Sequence, residues 1–160
     1  MKTKKIIALI LSILMLISQA ISVCAEEADT TEWYDLVEED FEMIVEPEQS
    51  ITPYSLYLMN VITSIVKINS NKVGMRAEVH CAGTMKKITI TFILQKLSGS
   101  TWKDVGSTTV YAYNTSSTAK SVTASNLSSG TYRTKATVMV TTSSGYSEAA
   151  NGYSGSINLP

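Results

Sequence analysis

The sequence predicts an all-β domain, an antiparallel sandwich of about seven short strands, and three observations predict it. Apolar and polar residues alternate with period two over Val73–Cys81, Lys87–Leu97 and Thr131–Thr142. Turn clusters of Ser, Asn and Gly separate these runs, at Asn69–Asn71, Ser98–Ser100, Ser128–Gly130 and Ser143–Gly145. No helical period intervenes, which argues against a parallel sheet with crossover helices.

The chain opens with Lys2, Lys4 and Lys5, an apolar run from Ile6 to Ile17 broken only by Ser12, and small residues ending in Val23-Cys24-Ala25. This is the layout of a secretory signal peptide over residues 1–25, with cleavage expected after Ala25. The run is shorter than the ~20 apolar residues of a membrane span, and no later segment approaches that length, so no transmembrane span is expected after cleavage. A lipidated Cys24 is the rival reading. A lipoprotein signal places Gly or Ala before that cysteine, where this chain has Val23. Localisation is therefore read as secreted, with attachment to the cell wall an open variant.

Residues 26–50 form an acidic arm. Eleven acids and no Lys or Arg lie between Glu26 and Gln49. Such density disfavours burial, so the arm is expected to be mostly disordered. Trp33, Tyr34, Leu36, Val37, Phe41 and Met43 are interspersed, and a short helix over Thr31–Met43 is one conformation open to them. Pro47 and Pro53 mark its end.

The sandwich domain takes residues 51–160. Tyr57–Ile68 reads as a first strand or pair. Val73, Met75, Ala77, Val79 and Cys81 point inward on the next strand, with Arg76, Glu78 and His80 outward. Gly83 is expected to end it. Ile88, Ile90, Phe92 and Leu94 form the inward set of Lys87–Leu97, with Thr89, Thr91 and Gln95 facing out. Trp102–Val105 and Thr108–Tyr113 read as two strands split at Gly106, followed by a polar loop at Asn114–Thr118 and a weak strand at Lys120–Ala124. Tyr132, Thr134, Ala136, Val138 and Val140 share one face of Thr131–Thr142, and a polar strand or pair completes the chain. Trp102 is expected to cap the core. Leu127–Tyr132 has the form of a corner in which a tyrosine hydroxyl ties the turn to the backbone. These features specify the sandwich as immunoglobulin-like or fibronectin-III-like, without the two-cysteine bridge of antibody domains.

The layout resembles a family of unknown function among small secreted proteins of Gram-positive bacteria. The matching segments are Ile51-Thr52-Pro53-Tyr54, Leu94-Gln95-Lys96 with Gly99-Ser100-Thr101-Trp102, and Gly130-Thr131-Tyr132-Arg133. The resemblance covers roughly residues 50–156 and implies one β-sandwich behind a leader and an acidic arm. It assigns no catalytic residue.

Composition narrows the chemistry. Cys81 is the one cysteine beyond the leader, so no internal disulfide is available. His80 and Cys81 are adjacent on a strand and point to opposite faces, which denies them a nucleophile–base pair or a shared metal. Glu78, Asp104 and Glu148 are the acids after residue 50, too few and too scattered to place the two carboxyls of a glycosidase. No phosphate loop or zinc spacing occurs. The reading is a non-enzyme with no cofactor and no bound metal.

Ten bases against those three acids leave residues 50–160 at +7. Lys72, Arg76, Lys120 and Arg133 are the candidate face for an anionic partner. Tyr111, Tyr113, Tyr146 and Tyr153 are candidates for a sugar platform. The partner is unassigned, with an anionic wall polymer, a carbohydrate or a surface protein as the classes considered, and no nucleic acid expected. The expected function is binding or a structural role at the cell surface. The alternative is a small secreted effector, an inhibitor or bacteriocin-like protein, with the arm as a pro-region that masks the basic domain.

Overall fold

The computed structural model describes residues 32–41, 49–51 and 55–160. The leader, the remainder of the arm and Thr52–Tyr54 lie outside the described residues.

Within them the protein is all-β, with strands β1 (Leu36–Glu38), β2 (Gln49–Ile51), β3 (Leu58–Asn69), β4 (Lys72–Ser98), β5 (Thr101–Ala124), β6 (Gly130–Thr141) and β7 (Ser147–Leu159). Every pairing is antiparallel, in one open sheet ordered β1-β5-β4-β3-β2, with β6 on β4 and β7 beyond β6. No described helix is long and apolar enough to cross a membrane.

The alternation predicted for the central strands is present. Val73, Met75, Ala77, Val79, Ile88, Ile90, Phe92, Leu94, Tyr132, Ala136, Val138 and Val140 are all buried. The turns are where the small residues stood. Gly99 and Gly145 have φ of 60° and 89°, a region that suits glycine at a hairpin.

The strand boundaries differ from expectation. Gly83 does not end a strand, and β4 runs on through it to Ser98. Its ladder with β5 breaks between His80 and Met85 and again between Leu94 and Gln95. Gly106 and Asn114–Thr118 likewise lie inside β5. A register shift adds a bend without ending the strand, so residues that look like breakers sit at kinks.

The long strands change partners at those kinks. On one edge, β4 pairs with β3 through Lys72–Cys81 and with β6 through Lys87–Lys96. β5 follows β4 along both halves. β3 and β7 touch although no ladder joins them. A side chain at Gly152 of β7 would overlap Thr63 and Val61 of β3. The corner before β6 also has the expected form, since the Tyr132 hydroxyl donates to the Ser128 carbonyl at 2.8 Å.

The described part of the arm is extended, not helical. β1 pairs Leu36–Glu38 with Ala124–Val122 of β5, and β2 pairs Gln49–Ile51 with Thr63–Val61 of β3. Tyr34 and Leu36 belong to the buried core.

Candidate binding surfaces

The four candidate cations do not form one face. Arg76 lies opposite Ser121 and Ser64 on the outer side of the β3–β4–β5 half. Its guanidinium is taken by Glu78 at 2.9 Å. Lys72 pairs with Glu39 at 2.8 Å and Lys120 with Glu38 at 2.6 Å, so both are engaged by the arm. Arg133 stands on β6, in the other half of the sheet. There its Nε donates to Gln95 at 2.7 Å, and Gln95 donates to Asp104 at 2.7 Å. That chain explains why Gln95, expected to face solvent, is buried. Sequence spacing could not separate Arg133 from the others, because cross-strand position depends on which strand lies beside which.

The arm is held by more than charge. The Tyr34 amide donates to the Val105 carbonyl at 2.6 Å, and the Glu39 amide to the Ser121 carbonyl at 3.3 Å. The Tyr34 hydroxyl donates to Glu32 and meets the Ser128 hydroxyl at 2.9 Å. Burial first, and then Glu32, pushes the Tyr34 phenol above its ordinary pKa. The Glu39 carboxyl is held below the ordinary range by Lys72 and by the Thr123 hydroxyl. Two glycines make room. A Cβ on Gly106 would stand 2.6 Å from the Tyr34 carbonyl oxygen, and one on Gly74 would meet the Phe41 ring at 2.5 Å.

The acids and thiol of the domain are dispersed. Glu78 faces Arg76, Asp104 faces Gln95, and Glu148 accepts from the amides of Leu56, Tyr57 and Leu58 and from the Ser55 hydroxyl. Desolvation opposes the Glu148 charge, but these four donors together hold its pKa below the ordinary value. Cys81 is buried and His80 exposed, on opposite faces as the alternation requires. Burial, aided by the Glu148 charge, raises the thiol pKa and keeps it in the less reactive form. Among the described residues no three His, Cys, Asp or Glu side chains gather to hold a metal.

The outer side of the β5–β4–β6–β7 half is different. Register places Tyr111, Thr89, Met139 and Ala149 in one row across it, and Thr109, Thr91, Thr137 and Asn151 in the next. Tyr111, Tyr113 and Met139 are 45%, 60% and 42% exposed. The two tyrosine rings are tilted neighbours at 6.3 Å, and the Lys87 ammonium sits 4.1 Å from the Tyr111 ring. At the opposite end Arg133 lies 4.3 Å from the Trp102 ring and 4.8 Å from Tyr153. Trp102 therefore belongs to this outer face and does not cap the core. Tyr146 is elsewhere, against Tyr57. Lys87, Lys135 and Arg133 face Asp104 as the one acid among these outward positions. The alternation showed which residues point out, but only the topology brings Tyr111, Thr89 and Met139 into one row.

No protein-family model matches the chain, and no curated protein matches it.

Proposed function

We propose that the protein is exported and works outside the cell as a non-enzymatic binding module, related to the secreted Gram-positive family its sequence resembles. Its sheet is read as an immunoglobulin-like or fibronectin-III-like sandwich. The exchange of partners along β4, the unladdered contact of β3 with β7 and the Tyr132 corner support that reading.

The binding surface is the outer face of β5, β4, β6 and β7, and its ligand is a carbohydrate chain, with anionic wall polymers the favoured class. The observation that carries this is the pair of exposed tyrosines beside Lys87, set against rows of hydroxyls on a four-strand face. A sugar ring lays its C–H face on a flat aromatic, and its hydroxyls meet Thr and Asn. Tyrosine suits this, being apolar in body and polar at its tip. The cationic excess adds attraction for an anionic polymer.

Purified mature protein should co-sediment with isolated cell-wall material. Tyr111→Ala and Tyr113→Ala should each weaken retention by about tenfold, the worth of one aromatic contact. Undiminished retention of the double variant would sink the proposal. The alternative, an effector with a detachable pro-region, has the arm against it. Tyr34 and Leu36 are core residues, so removing the arm would uncover the interior.

A further inference from the structure

A sheet has to finish somewhere, and its free edges offer unpaired N–H and C=O groups to any passing strand. Proteins blunt such edges with short strands, charges, proline or bulges. Four edges here are blunted. β3 is covered by β2 only at Val61–Thr63, and its longer uncovered stretch, Ser64–Asn69, carries Lys67 and a register shift against β4. β1 and β2 are three residues long. β7 carries Gly152, Gly155 and a register shift against β6.

The fifth edge is not. β5 pairs with β4 on one side, and β1 covers only Val122–Ala124 on the other. Between Ser107 and Lys120 that side meets no strand among the described residues. Ser107–Ala119 contains no Lys, Arg, Asp, Glu, Pro or Gly. Asn114 has φ of 52°, and Ser117 is tied back to the Thr115 hydroxyl, so the regular stretch is Ser107–Tyr113. Thr109, Tyr111 and Tyr113 are exposed on one face of it, and Val110 is buried on the other.

We propose that Ser107–Tyr113 is a self-association edge, at which β5 of one molecule pairs antiparallel with β5 of a second copy about a two-fold axis. A charged edge would repel its own copy, because a two-fold axis sets each residue against its own sequence. This stretch carries no charge to repel. Antiparallel pairing would place threonine and tyrosine side chains opposite one another, pairs that favour cross-strand contact. The dimer joins two outer faces into one surface, and it stands whether or not that surface binds carbohydrate.

Sedimentation analysis of the mature chain should show a concentration-dependent dimer. Thr109→Lys and Tyr111→Lys, both at exposed positions, should each weaken association roughly tenfold, since each substitution enters the interface twice. Single cysteines at 107, 109, 111 and 113, oxidised alone and in mixed pairs, give the register. Cross-links should concentrate in combinations whose two residue numbers share one sum, as antiparallel pairing demands. A monomer at the highest soluble concentration, or cross-links with no common sum, would overturn the proposal. So would a dimer indifferent to both lysines, which would point to another surface.

Discussion

Tyr132 shows how much one hydroxyl can fix. Its ring is fully buried, and its hydroxyl reaches the Ser128 carbonyl four residues back. Tyr132→Phe keeps the ring and strands that carbonyl, so it should cost about 1–2 kcal/mol in denaturant unfolding. Phe at this position with unchanged stability would mean that the corner contributes nothing. Gly106 acts through what it lacks. With the Tyr34 carbonyl and Leu36 pressed against it, Gly106→Val should destabilise the domain by about 1–3 kcal/mol, as overpacked sites do. The sequence showed Gly106 only as a breaker between strands. The arm residues that require a glycine there are seventy positions away in the chain, so no local pattern could reveal them.

Among the elements, the arm departs most from its sequence. Its charge density argued for disorder over residues 26–50; of the residues described there, Leu36–Glu38 pair with β5 and the Tyr34 and Glu39 amides bond to its carbonyls. The domain supplies what the arm cannot supply for itself. Lys72 and Lys120 take Glu39 and Glu38, Gly74 admits Phe41, and β5 offers an open ladder. Each of these is a tertiary complement, invisible to composition. The central strands were legible because their inward set is apolar at every second position, and burial follows that set closely. Their length was not, since a kink and a termination use the same residues.

The arm should respond to pH from both sides. Glu39 has a depressed pKa, so it binds protons less readily folded than unfolded. Its contribution is present above the ordinary carboxylate value and is lost as pH falls through the depressed one. Tyr34 has a raised pKa. Its contribution is present below the ordinary phenol value and is lost as pH climbs through the raised one. Protection of the Tyr34 and Glu39 amides, taken relative to intrinsic exchange at the same pH, should therefore fall in acid and in strong alkali before the core strands open. Amides that open only together with the core would contradict a separately titrating arm.

For the molecule as a whole, the charge asymmetry read from the sequence has a double meaning. Part of the basic excess is answered within the chain, by the arm's own glutamates. On the outer face of the half away from β1 stand Lys87, Lys135 and Arg133. Two of the four cations first proposed as a face, Lys72 and Lys120, serve the fold. The exposed tyrosines were visible in the sequence as outward positions, but their place beside Lys87 and Met139 follows from β4 lying between β5 and β6.

Calorimetric titration of a soluble anionic wall polymer into three proteins separates these two surfaces. Wild type and Lys72→Ala/Lys120→Ala should bind alike, and Tyr111→Ala/Tyr113→Ala should lose most of its affinity. A full-strength tyrosine variant beside a crippled lysine variant would contradict that expectation and return the site to the arm-covered half.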